Sequence, residues 1–207
     1  MSGPARLPAD DGFSLVETIV ALGIVGAVMT SVVIFFVGSG GVLRRQADSQ
    51  AAVQLAAGAM DYASQLPGEN LMLGRTQTAV ETQLATAKAA GWRASEVGVY
   101  VDDALTAPAY QDPGQSTTSS IKTLPTTAEA VKIDGDTTPY ERWWFVGRCW
   151  QPKSGGACTN PANHDGLIAM LRIVVAIKWP SPDCPGGRCE YATAMLTEAD
   201  LDDPTWK

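Results

Sequence analysis

Side chains suited to acid–base or nucleophilic catalysis are few in this chain. His164 is the only histidine, and it lies in the Asn- and Pro-containing stretch 160–166, which is typical of a turn before a strand. No serine stands in a Gly-x-Ser-x-Gly motif, and the Asp pairs at 102–103 and 202–203 are adjacent in sequence, so their side chains point apart. The sequence therefore predicts a protein that is not an enzyme, while calcium binding by a loop remains open.

Four cysteines lie in the last third of the chain. Cys149 and Cys158 are separated by eight residues, and Cys184 and Cys189 by four, whereas common zinc sites use tighter ligand pairs. An even number of cysteines in loops favours disulfides in an oxidising compartment, with four reduced cysteines as the alternative. Three pairings are possible, and the Pro and Gly residues within each group favour the local pairs, Cys149–Cys158 and Cys184–Cys189, over a crossed pairing. No metal and no cofactor are predicted.

A carboxylate stands at the start of the longest apolar segment. Glu17 precedes an almost unbroken apolar run from Ile19 to Val37, which as a helix would be roughly 28 Å long and could span a membrane. One interpretation is a capping box, in which Ser14 and Glu17 satisfy amide groups at the helix start. An ionised carboxylate at membrane depth costs about 2.5–3.5 kcal/mol, however, so a partner for Glu17 is expected.

Other N-terminal segments explain this pattern less fully. A secretory signal has a shorter apolar core of about 7–15 residues, although 37–39 could be a cleavage site. A signal anchor fits the length but gives no role to Gly12, Phe13 or Glu17. A cut between Gly12 and Phe13 would create an α-amino group one helical turn from such a carboxylate. In a stack of identical helices, Glu17 of one subunit could then meet the Phe13 amine of its neighbour.

The motif Gly12-Phe13-Ser14-Leu15-Val16-Glu17, with the apolar span after it, resembles the N-terminal signal of type IV pilins and of the pseudopilins of type II secretion. The resemblance covers about 25 residues. It implies that a prepilin peptidase cleaves after Gly12, that Phe13 is N-methylated, and that Glu17 directs assembly into a filament core.

Two further features bear on this resemblance. Gly26 matches a glycine that is frequent midway along the family's helix. Asp10 and Asp11 stand where family leaders commonly carry Lys or Arg, and Arg6 is the only basic leader residue. The apolar run also lacks the proline that many major pilins carry.

A second helical pattern follows the apolar run. Apolar residues recur mainly every four positions at Leu43, Ala47, Ala51, Leu55, Ala59, Ala63 and Leu66. Pro67-Gly68 ends this pattern. We expect one helix from about Ser14 to Leu66; two helices separated at the glycines of 38–41 are the alternative.

Strand patterns dominate the last third. In 167–179, alternate residues from Leu167 to Trp179 form an apolar face, with Arg172 and Lys178 on the other. The stretches 141–150 and 190–197 are also prone to form strands. An early long helix followed by three strands predicts an α+β fold, with an antiparallel sheet packed on the second half of the helix.

The middle of the chain has weaker signals. The stretch 76–90 has a small apolar helical face, and Gly91 is a plausible stop. The stretch 104–136 is rich in Pro, Thr, Ser and Gly, which indicates loops or short strands around Tyr110 and Ile121.

These patterns define four segments. They are a leader, 1–12; a transmembrane or filament-core helix, 13–37; its amphipathic second half, 38–66; and an extracytoplasmic pilin-like head, 67–207. The net charge of −7 and pI near 4.6 give no electrostatic signal for nucleic-acid binding.

The function expected is that of a minor type IV pilin-like subunit. Its partners would be the membrane, prepilin peptidase, other pilin subunits and a pilus or type II secretion assembly machinery. A pseudopilin of a secretion or competence system is one alternative. A membrane-anchored or secreted enzyme or binding domain is the other.

Overall fold

The structure is a computed structural model, and it describes residues 14–92, 107–111 and 123–198, without the side chain of Glu69. The expected cleavage and methylation positions, Gly12 and Phe13, lie outside the described residues. So do Ile121 and the Asp pairs at 102–103 and 202–203. The chain divides into two compact units, Met1–Asp48 and Ser49–Lys207.

One long helix begins the described chain. Helix α1 runs from Leu15 to Ser64 without interruption at the glycines of 38–41. The single helix expected from the sequence is therefore confirmed, and the alternative of two helices is wrong. Pro67 lies just beyond the last turn and leads into the short helix α2, Gly68–Met72.

A five-stranded sheet forms most of the second unit. Its strands are β1, Ala107–Pro108; β2, Glu129–Ile133; β3, Asp136–Pro152; β4, Leu167–Pro180; and β5, Arg188–Glu198. The order is β1-β3-β4-β5, β2 also pairs with β3, and all pairings are antiparallel. The predicted α+β fold is thus confirmed.

The last turns of α1 cover one face of this sheet. Ala52, Ala56, Ala59 and Ala63 are buried there with the apolar face of β4 that includes Ile173. Alanine has no side-chain atoms beyond Cβ, so it allows a helix to approach a sheet closely while losing no rotamer entropy.

The opposite face of the sheet is also covered. Helix α3, Gln77–Ala89, contributes Ala87 to a second core with Trp92, Phe145 and Val174. Below we call this the α3-side core, and the cluster under α1 the α1-side core. The chain therefore forms three layers in its second unit, and β4 is buried on both faces from Ile173 to Trp179.

Local chemistry fixes both ends of α3. The Thr76 hydroxyl accepts a hydrogen bond from the Ala79 amide, which is an N-cap. Gly91 has φ +76°, and the amides of Gly91 and Trp92 donate to the carbonyls of Lys88 and Ala87. This is a Schellman motif, and it confirms Gly91 as the stop expected from the sequence.

Two sequence expectations need correction. Leu43 and Ala47 of the predicted helical stripe are exposed, and the buried stripe of α1 is centred on Ala52 and Ala56. Lys178, expected on a polar face, is buried because α3 and the chain after it cover that face. The stretch 104–136, expected to form loops or short strands, contains β1 and β2 among its described residues.

Candidate functional site

The apolar part of α1 is the first candidate for a functional surface. Within Leu15–Ser64, the helix is long and apolar enough to cross a membrane, and that stretch is not buried in the protein. Its large apolar side chains from Leu15 to Val37 are more than two-fifths exposed. Its length, composition and exposure are compatible with a membrane anchor or a signal sequence.

Most polar side chains of this apolar stretch bond to the helix itself. The hydroxyl of Thr18 donates to the Ser14 carbonyl at 3.3 Å, that of Thr30 to Gly26 at 2.8 Å, and that of Ser31 to Ala27 at 2.9 Å. In hydrocarbon an unsatisfied polar group is costly, and these internal bonds remove that cost. The hydroxyls are therefore compatible with a lipid environment.

Glu17 behaves differently from these hydroxyls. It lies in the first turn of α1 and is exposed. In the described part of the chain, no hydrogen bond joins Ser14 and Glu17 through either side chain, so the capping box is not formed. An acidic side chain in the first turn still complements the positive end of the helix dipole. The carboxylate itself remains free to accept a partner from another molecule.

Both cysteine groups form local disulfides. Cys149 bonds Cys158 and Cys184 bonds Cys189, with Cα–Cα distances of 5.4 and 5.1 Å. This is the local pairing favoured from the sequence. The two bonds differ in burial, because Cys149 and Cys158 are 0% and 5% exposed, whereas Cys184 and Cys189 are partly exposed.

A buried ion pair connects β4 and β5. Lys178 Nζ lies 3.1 Å from a carboxylate oxygen of Glu190, with side chains 3% and 5% exposed. The same ammonium group donates to the Ala90 carbonyl at 2.6 Å and lies 4.9 Å from the ring centroid of Trp92. Lys178 therefore links the end of α3 and the edge strand β5 to β4.

A second buried cation has no carboxylate partner in the described part of the chain. Arg75 is fully buried, and its guanidinium donates to Gln83 Oε1 at 2.8 Å and, more weakly, to the carbonyls of Leu124 and Trp144. Gln83 also donates to the Trp144 carbonyl at 2.6 Å. Burial lowers the pKa of Arg75 to about 10. The cluster joins α3 to the sheet and is structural.

A third polar group lies at the edge of the α1-side core. Glu129 accepts from the Arg142 guanidinium at 2.9 Å and from the Trp144 indole at 3.3 Å. Burial, and secondarily the charge of Glu129, raise the pKa of the nearby Tyr62 phenol, and Arg142 opposes this shift. These contacts tie β2 to β3.

The sequence interpretation missed these three clusters. One signal was present, because Asp134-Gly135 is a strong hairpin dipeptide, and both residues have positive φ in the turn between β2 and β3. Recognising this turn would have predicted β2 and the place of Glu129. The burial of Arg75 and Lys178 depends on tertiary contacts and has no such local signal.

The loop around His164 places its ring against an aromatic side chain. The His164 ring stacks on Trp150 with centroids 3.6 Å apart, and the residue is exposed. Among residues 14–92, 107–111 and 123–198, no group of three His, Cys, Asp or Glu side chains is placed to hold a metal ion.

Comparison with known proteins does not assign a family. No protein-family model matches the sequence, and no match was found among curated proteins or solved structures. A long N-terminal apolar helix followed by an antiparallel sheet is compatible with a pilin-like architecture. The disulfides indicate an oxidising, extracytoplasmic location for the second unit.

Proposed function

We propose that the chain is a type IV pilin-like subunit, of the minor class, that is processed after Gly12 and assembled into an extracytoplasmic filament. One observation carries this proposal. A single helix contains both an exposed, lipid-compatible apolar stretch and a stripe of alanines that packs on an antiparallel sheet. A cleaved signal peptide gives no reason for its helix to run without a break into the helix that packs on the sheet.

The free carboxylate of Glu17 supports the same proposal. Burial of an ionised carboxylate in an apolar environment is costly unless a cation accompanies it. Cleavage before Phe13 supplies such a cation, the α-amino group, four residues away on the chain. Pairing between neighbouring subunits would satisfy both charges, whereas a plain membrane anchor would give Glu17 only its interaction with the helix dipole.

Mass spectrometry of the protein from a host with a prepilin peptidase tests the processing step. We expect the wild type to lose about 1.2 kDa, the mass of the first twelve residues, and to gain about 14 Da from methylation of Phe13. Gly12→Glu should prevent both changes, because a side chain would stand beside the scissile bond. Gly3→Glu, the same substitution elsewhere in the leader, should be processed normally.

Two other outcomes would indicate a different class of protein, and a third would refute the assigned cleavage site. An intact Met1 in the membrane fraction would indicate a signal anchor. A start near Ser39 would indicate a secreted domain. Equal processing of Gly12→Glu and wild type would show that the motif does not define the cleavage site.

The assembly step is tested with Glu17→Gln, which removes the charge and keeps the size of the side chain. The variant should be inserted and processed, but its amount in sheared filament fractions should fall about tenfold or more, since loss of one buried counter-charge is worth several kcal/mol. Thr30→Val is the matched control, because the Thr30 hydroxyl bonds only within its own helix. Equal recovery of all three proteins in filaments would exclude the charge pairing.

A further inference from the structure

The disulfide that closes the β4–β5 turn differs in surroundings from the other disulfide. Cys184 and Cys189 are partly exposed, whereas Cys149 is 0% and Cys158 5% exposed. Thiol–disulfide exchange needs a thiolate to reach one sulfur in line with the S–S bond, so its rate depends strongly on access. Solvent access therefore favours thiol–disulfide exchange at Cys184–Cys189 over exchange at Cys149–Cys158.

The residues between Cys184 and Cys189 leave this approach open. Pro185, Gly186 and Gly187 are exposed, and a side chain added at either glycine would meet no atom within 4 Å. Both glycines have positive φ, which allows the chain to reverse within four residues. The turn thus places no bulky group over the disulfide.

The two sulfurs of this bond are not equivalent. Cys189 lies opposite Trp179 in the second residue pair of the β4–β5 ladder counted from the turn, and it packs against the α1-side core. Cys184 precedes the turn and is outside that cluster. This difference in packing favours attack on Cys184 from the solvent side, with Cys189 as the leaving group.

The turn is held by more than the disulfide. The amide of Ser181 donates to the Gly187 carbonyl at 3.0 Å, and that of Gly187 to the Cys184 carbonyl at 3.0 Å. Beyond the turn, β4 and β5 pair continuously from Pro180 and Arg188 to Met170 and Glu198. Opening the disulfide would leave this pairing in place, so that the two thiols stay close enough to be oxidised again.

We propose that Cys184–Cys189 is a thiol–disulfide exchange site, whose reaction partner is the dithiol of a thiol–disulfide oxidoreductase. One partner thiolate attacks Sγ of Cys184, the S–S bond breaks, and the electron pair leaves on Cys189, which takes up a proton. The second partner thiol attacks the mixed disulfide and releases Cys184 as a thiol. The chain's disulfide gains two electrons and two protons, and the partner's dithiol becomes a disulfide. Cys149–Cys158 remains closed because its sulfurs are buried.

Reduction of the full-length protein in detergent, without denaturant, tests this site. Dithiothreitol is added, samples are quenched with N-ethylmaleimide at intervals, and labelled peptides are mapped by mass spectrometry while circular dichroism follows the sheet. We expect labelling of Cys184 and Cys189 at least about tenfold faster than labelling of Cys149 and Cys158, with the β signal unchanged. Equal rates, the reverse order, loss of the β signal on opening, or no opening before unfolding would each overturn the proposal.

A second experiment tests the direction of attack. Reduced thioredoxin, with its resolving cysteine replaced by serine, is the probe, because it stops at the mixed disulfide. We expect the probe to be captured on Cys184 of the wild type and not on Cys149 or Cys158. Capture on Cys189 would refute the assigned leaving group, and no capture would refute the exchange site. Neither experiment depends on cleavage after Gly12 or on filament assembly, so failure here leaves the proposed function standing.

Discussion

Removal of the buried ammonium group at Lys178 should destabilise the sheet more than any surface charge change. In Lys178→Met the stem of the side chain is kept, but Glu190 loses its 3.1 Å partner, and the Ala90 carbonyl loses its 2.6 Å donor. Breaking a buried pair by removing one partner costs about 3–5 kcal/mol, since the remaining charge stays desolvated. For a unit of this size the loss corresponds to a fall in Tm of roughly 10 °C.

Thermal unfolding of the full chain in detergent, followed by near-ultraviolet circular dichroism of the tryptophans, measures this loss. Arg188→Met is the matched control, because Arg188 and Glu141 lie 3.8 Å apart with side chains 55% and 45% exposed. An exposed pair of this kind contributes at most about 1 kcal/mol. We therefore expect little change in the control.

The double variant Lys178→Met, Glu190→Met separates the charge from the packing. If the loss comes mainly from a buried carboxylate deprived of its cation, the double variant should recover to within about 1–2 kcal/mol of the wild type, the remainder reflecting the Ala90 carbonyl that still lacks its donor. A double variant as unstable as Lys178→Met would refute this reasoning. So would a loss below about 1 kcal/mol in the single variant.

Three further predictions concern other buried or strained positions. Arg75→Met should cost less than about 2 kcal/mol in the same assay, because it removes a desolvated charge along with its hydrogen bonds; a loss equal to that of Lys178→Met would contradict this. Tyr62 has a raised pKa, so its stabilising contribution is complete below its ordinary value of 10.0 and is lost as the pH rises through the folded value. Wild type should therefore lose stability above pH 10 relative to Tyr62→Phe, and parallel pH profiles would exclude this. Gly91→Ala should cost about 1–2 kcal/mol from positive φ alone, since an added Cβ meets no atom within 4 Å; unchanged stability would show that the motif relaxes.

Patterns that depend on neighbouring residues predicted most of the fold. The length of α1, its end before Pro67 and the stop of α3 at Gly91 follow from periodicity and from Pro and Gly chemistry. The apolar face of β4 follows from alternation with period 2. The local disulfides agree with turn-forming residues between the cysteines.

Burial by distant segments could not be predicted in this way. Periodicity extends the helical stripe back to Leu43 and Ala47, but both are exposed and the buried residues of α1 begin at Ala52, because periodicity contains no information about where a covering layer begins. Alternation likewise predicts a polar face at Lys178, which is buried. Alternation separates the two faces of a strand, but it does not show that a helix 90 residues earlier covers the second face.

The polar groups of α1 provide the strongest physical link between structure and proposed function. Between Leu15 and Val37, every hydroxyl bonds a carbonyl of its own helix, and Glu17 is the one polar side chain without such a bond. Replacing a charged residue by an apolar one would stabilise a helix in lipid by about 2.5–3.5 kcal/mol at the helix centre, and by less at the edge, where Glu17 lies. On the proposed function, that unsatisfied charge is the driving force for association, because a neighbouring subunit's Phe13 amine satisfies it within the filament. The same argument predicts that Glu17→Gln weakens assembly without weakening membrane insertion, which distinguishes a role in pairing from a role in anchoring.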